Sequence, residues 1–179
     1  MARPTSEHGA GARPGRKPRA PGTYALLLEV ERAGPLRIGR LGEIDFEAGA
    51  HVYVGSAFGP GGLAGRLGHH LAPVTRPHWH VDHLRRGARV VAVWTTTDPR
   101  RLECVWARAA RALRGAHPVA GFGASDCDCG AHLVALPRFP RPEAFRRHLA
   151  GLSPRCATIA RWPIRATPTR LPKRPNEAH

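Results

Sequence analysis

Two tyrosines occur in the 179 residues of this chain, and both stand where a phosphodiester could be handled. Tyr24 lies in Gly22-Thr23-Tyr24, just ahead of the apolar run Ala25-Leu26-Leu27-Leu28. Tyr53 lies in Tyr53-Val54-Gly55, just ahead of Gly59-Pro60-Gly61-Gly62. A phenol near a strand end, then a glycine turn, then a basic helix suits that task. Phosphodiester hydrolysis needs a metal on the phosphate and leaving oxygens, a group that prepares a water, and a cation that offsets developing charge. Arg66, after the glycine stretch, offers a guanidinium that grips phosphate in a bidentate manner. His69 and His70 offer proton transfer or a phosphate contact. Glu103 is an acid within the otherwise basic and apolar stretch PRRLECVWARAARAL, and a lone carboxylate suits Mg²⁺, which keeps much of its water. A phenol with an ordinary pKa near ~10 needs a cation or base beside it to activate water.

The elements that must position these groups are legible in part. Residues 22–31 (GTYALLLEVE) read as a buried strand, 36–41 (LRIGRL) as its partner and 50–54 as a third, together an antiparallel meander. Leu63, Leu67 and Leu71 recur at helical spacing and predict a helix over 62–71. A short helix is predicted over 79–86 and a strand over 89–95. A longer helix is predicted over 98–114, with Asp98 as N-cap and Pro99 in its first turn. A loop over 116–129, a strand over 131–136 and a helix over 142–150 complete the set. Strands and helices in this order predict a small α/β (α+β) layer structure, a mainly antiparallel sheet flanked by helices.

Charge points to the partner. The net charge is +15, with 26 arginines to two lysines. Residues 1–20 carry five Arg/Lys against one acid, and 155–179 carry six against one. Segments of Pro, Arg and Ala bury too little apolar surface to order themselves, so 1–21 and 151–179 read as disordered basic tails around a domain at 22–150. Basic tails beside a basic domain predict a polyanion partner, a nucleic acid, bound through counterion release. Arginine-rich coding bias is the plain alternative source of this charge. The basic N-terminus is followed by no apolar signal segment, and Ala25–Val30 is far too short to span a bilayer, so a soluble cytoplasmic protein is expected.

The ordered motifs are similar to a known family. GTY, then YVG, then Arg66 on a helix, then a helical Glu103 resemble the GIY-YIG nuclease superfamily. YVGSAFGPGGLAGRLGHHL, HWHVDHL, LECVWA and GFGASDCDCGAHL resemble its branch called domain of unknown function 123, which also occurs fused to endonuclease III-like repair enzymes. The resemblance runs from about Gly22 to Leu136. It implies a one-metal (Mg²⁺ or Mn²⁺) endonuclease acting in DNA repair or processing, with a repair protein as possible partner. It implies Tyr24 as the water-activating group, Tyr53 as its neighbour, Arg66 as phosphate clamp and Glu103 as metal ligand. His70 would assist proton movement, and Gly55, Ser56, Arg66 and His69 would meet the nucleic acid. Departures are Thr23 and Val54 for isoleucines, His69 for a basic Arg or Lys, and His83 for a tyrosine. The late asparagine of many superfamily nucleases has no evident counterpart. The histidine departures and the missing asparagine motivate a second reading, a nucleic-acid-binding accessory module without catalysis.

A third reading is a zinc-stabilised interaction domain. Cys127, Cys129 and His132, in C-x-C-x-x-H, offer three ligands that His80 or His83 would complete. The spacing is unlike common zinc signatures. The expectation is therefore a buried polar turn whose cysteines pack as small hydrophobes, with zinc disfavoured. Cys156 is expected to be an ordinary thiol.

Overall fold

Strand β1 (Thr23–Val30) is apolar at nearly every position because it is buried on both faces. The computed structural model describes residues 19–124, 127–154 and 158–164. After β1 come β2 (Gly34–Arg37), a 3₁₀ turn at Gly39–Leu41, β3 (Glu43–Phe46) and β4 (Gly49–Ser56). Helix α1 (Gly62–Leu71), helix α2 (His80–Leu84), β5 (Ala88–Thr96) and helix α3 (Glu103–Arg111) follow. Then come β6 (His117–Pro118), β7 (Leu133–Leu136), helix α4 (Pro142–Leu152) and β8 (Ala160–Arg161). The main sheet has six antiparallel strands in the order β6-β7-β4-β1-β5-β8. This is the small mixed α+β architecture expected.

Strand alternation splits the core in two. Ala25, Leu27, Val52 and Val54 face α3 and α4, where they meet Trp106, Phe145 and Leu149. Tyr24, Leu26, Leu28 and Tyr53 face α1 and α2, where they meet Leu63, Leu67, Val81 and Leu84. Both phenols therefore share one face of the central strand pair.

Four expectations are corrected. β1 pairs with β4 and β5, while β2 and β3 form a separate hairpin, so the opening is no meander. The β2–β3 alternation buries only Phe46 fully, too weak a face to join the main sheet. The stretch 36–41 leaves the extended form at the 3₁₀ turn. Helix α3 begins at Glu103, because the Asp98 carboxylate takes the Arg100 N–H and guanidinium and closes a local turn instead of capping a helix. That Arg100 pairing holds the Asp98 pKa down at about 2. Finally, the domain continues past residue 150. β8 pairs with Trp94 and Thr95, and Ile159 and Trp162 are buried. Two apolar side chains among the arginines supply the burial that a disordered tail lacks. Cys156 and most of both expected tails lie outside the described residues. Among those residues no helix is long and apolar enough to cross a membrane.

Candidate active site

Tyr24 sits opposite Gly55 in the β1–β4 register, and Tyr53 sits opposite Leu26, two positions along. The two rings are diagonal neighbours with centroids 6.4 Å apart. The space above Gly55 is filled by the Tyr24 ring. A Cβ on Gly55 would stand 2.5 Å from Tyr24 Cζ. The missing side chain thus seats the phenol. Gly55→Ala is expected to displace Tyr24 and to destabilise the fold by about 1–3 kcal/mol, read by chemical denaturation.

Helix α1 delivers three further groups. Leu63, Leu67 and His70 fall on one stripe of the helix, so His70 is buried with the leucines. Its Nε2 lies 2.8 Å from Tyr24 Oη, and its Nδ1 lies 3.2 Å from Asp82 Oδ1. Asp82, on α2, is a hub, where sequence reasoning gave it, with His80, only hydrogen bonds that fix its loop. Its Oδ2 also accepts the backbone N–H groups of His78 and Trp79 and meets His69 Nε2, each at 3.0 Å. Arg85 closes the ring with Nη1 at 3.5 Å from Oδ1. Burial alone would raise the Asp82 pKa, but the bonds from His70, Trp79, His69 and His78 hold it far below the usual carboxylate range. The carboxylate takes the His70 Nδ1–H, which leaves Nε2 as acceptor for the Tyr24 hydroxyl. Burial, the largest influence, lowers the His70 pKa and keeps the ring neutral. Burial also raises both phenols well above their ordinary value, opposed by Arg66.

Arg66 lies one turn before His70 on α1, its guanidinium carbon 4.0 Å from the centroid of the Trp79 ring. That cation–π contact fixes the fork at the mouth of the site. Sequence reasoning gave Trp79 no role. His69, an expected nucleic-acid contact, is turned onto Asp82 and stands outside the hollow.

Glu103 comes from the opposite face of the sheet. As the first residue of α3 it reaches around the strand ends to the same hollow. Its Oε1 lies 3.1 Å from His132 Nδ1. Burial tends to raise the Glu103 pKa, but bonds from His132 and Ser56, with Arg66 nearby, lower it overall. The carboxylate is therefore ionised at neutral pH. Tyr24, Tyr53, Ser56, Arg66 and Glu103 together line one hollow of about 360 Å³, walled also by Trp79, His80 and Gly123.

Behind Glu103, His132 points Nε2 at Cys127 Sγ, 3.2 Å away. Burial opposes charge on His132, but Glu103 and Cys127 raise its pKa overall. Cys127 and Cys129 are joined there by Cys104, the residue next to Glu103. Burial and its two cysteine neighbours push the Cys129 thiol up to about 12. His80 and His83 stand elsewhere. His80 Nδ1 accepts the Gly123 N–H at 3.3 Å, and His83 Nε2 lies beside Gly39.

A protein-family model described as "Domain of unknown function DUF123" matches residues 23–152. No curated protein and no solved structure matches the chain.

Proposed function

This chain belongs to the family described as domain of unknown function DUF123, and we propose that its hollow is a metal-dependent phosphodiesterase site of the GIY-YIG nuclease kind, acting on DNA in repair or processing. The observation that carries the reading is the convergence of Tyr24, Tyr53, Arg66 and Glu103 on one polar hollow, from β1, β4, α1 and α3. A single ionised carboxylate in an open polar site suits Mg²⁺ or Mn²⁺, which fills its other positions with water and substrate oxygen. Glu103 would hold that ion, and the ion would supply Lewis-acid stabilisation of the phosphate and leaving oxygens.

The chain's own groups perform the remaining steps. The Tyr24 oxygen accepts a hydrogen bond from the attacking water. As the water oxygen bonds to phosphorus and the ester P–O bond breaks, the water's proton passes to Tyr24, and the leaving oxygen departs as an alkoxide that takes its proton from solvent. The phenol's own proton passes to His70 Nε2. The imidazolium is then held by the Asp82 carboxylate, as in a triad whose acid orients and stabilises its histidine. This relay removes the need for a free phenolate, which burial makes costly. Arg66 pairs with the non-bridging oxygens while Trp79 keeps its fork in place.

The test is incubation of the pure chain with branched, nicked and linear DNA plus Mg²⁺ or Mn²⁺. Cleavage is expected, with Arg66→Ala lowering kcat/KM by about 10²–10³-fold. Salt-sensitive binding to every substrate with cutting of none would replace the nuclease reading by a binding module.

A further inference from the structure

Cys104, Cys127, Cys129 and His132 bring four ligand atoms within 4.8 Å of one another. Tetrahedral zinc, with Zn–S near 2.3 Å and Zn–N near 2.0–2.1 Å, sets its ligand atoms roughly 3.5–3.8 Å apart. We propose that this cluster is a closed Cys₃His structural zinc site, tied through its histidine to Glu103. Three thiolates and one imidazole are a full tetrahedral set with no position left for substrate.

The surroundings are built for it. His132 offers Nε2 to the cluster while Nδ1 meets Glu103 Oε1 at 3.1 Å. That is the carboxylate–histidine arrangement that fixes the tautomer of a zinc-bound imidazole. The backbone of His132 is clamped on both sides, its N–H on Phe122 O and its carbonyl on Val54 N–H, each at 2.8 Å. Arg111 grips the Cys129 carbonyl, which places a cation beside a zinc tris-thiolate of net charge −1. Gly130, at φ +74°, makes the turn between Cys129 and His132 in the left-handed region that a side chain disfavours. A disulfide would use two of the three sulfurs and leave the third and the imidazole without a function. All three cysteines are free thiols here. The other cluster with metal-ligand chemistry among the described residues, His69, His70 and Asp82, is already saturated. Asp82 is met by both histidines, two backbone N–H groups and Arg85, and His70 Nε2 is engaged by Tyr24.

The zinc site shares Glu103 with the hollow but does not depend on hydrolysis, so its test does not rely on cleavage. The full chain, expressed with zinc and purified without chelators, is expected to carry one zinc per chain by elemental analysis. Replacement by Co²⁺ is expected to give tetrahedral d–d bands and a thiolate-to-cobalt charge-transfer band. Cys104→Ser is expected to lower that charge-transfer intensity by about a third, as one of three thiolates is lost. Glu103→Gln is expected to weaken zinc binding by roughly 10–100-fold, and Cys156→Ser to leave it unchanged. Should Cys104→Ser fail to fold, the wild-type cobalt spectrum decides alone. Three-thiolate intensity supports the site, and absence of the charge-transfer band overturns it. Folded protein with less than about 0.1 zinc per chain and no tetrahedral cobalt spectrum after reduction also overturns it. So does zinc content untouched by Cys104→Ser with Cys127→Ser.

Discussion

Glu103→Gln is expected to lower Mg²⁺- or Mn²⁺-dependent DNA cleavage on the order of 10³-fold, the scale of removing one electrostatic group aimed at the transition state. Glutamine keeps the volume of the side chain and an oxygen to face His132 and Ser56. The side chain is 28% exposed and begins helix α3, so no core contact is lost. What disappears is the charge that would hold a divalent ion in the hollow. Circular dichroism and the thermal midpoint of the zinc-loaded variant serve as the control for folding. Cleavage within about tenfold of wild type, in a folded variant, would show that the ion is held elsewhere and would remove the hydrolytic reading.

Tyr24→Phe is expected to lower kcat by about 10²–10⁴-fold, the range of a lost proton-transfer group. The ring still lies over Gly55, so the packing of the β1–β4 pair survives. His70 Nε2 loses its partner, at a cost of about 1–3 kcal/mol in denaturation experiments. The pH profile separates a proton relay from a merely structural phenol. In the wild type, cleavage is expected to fall on acidification as His70 becomes charged, with a midpoint below the ordinary 6.5 because burial depresses its pKa. The phenylalanine variant is expected to lose that limb. A residual rate that keeps the acid limb would assign it to a group other than the Tyr24–His70 pair.

Acid is also expected to weaken the fold through the same network. In the unfolded chain His70 binds its proton near 6.5, while in the fold it binds only at lower pH. Stability is therefore full above 6.5 and falls as pH drops toward the folded value. Asp82, depressed far below 3.8, adds a further loss that begins near 3.8 and continues downward.

Local order was readable where a single pattern dominated. The spacing of Leu63, Leu67 and Leu71 fixed α1 at its observed ends, and the apolar run after Thr23 announced a strand buried on both sides. The burial of His70 was within reach, since it falls seven residues after Leu63 on the same stripe. Where two local signals competed, the reading failed. Asp98 and Pro99 look like a helix start, yet a carboxylate that closes on Arg100 satisfies itself without a helix. Trp162 and Ile159 were lost in an arginine-rich background, because two buried side chains do not shift a composition.

Taken alone, the order of residues determined which side chains were chemically able, the two phenols, one guanidinium and one helical carboxylate, and the layer class that carries them. Only the tertiary structure decided who meets whom. Tyr24 and His70 are 46 residues apart and Glu103 and His132 are 29 apart, on opposite sides of a sheet whose order places β1 between β4 and β5. Periodicity tells a side chain which face to take, but it carries no information about the partner waiting there. That choice rests on packing and hydrogen bonds across the whole fold, which is why the partners of Asp82 and the place of Cys104 beside His132 emerged only once the chain had closed around them.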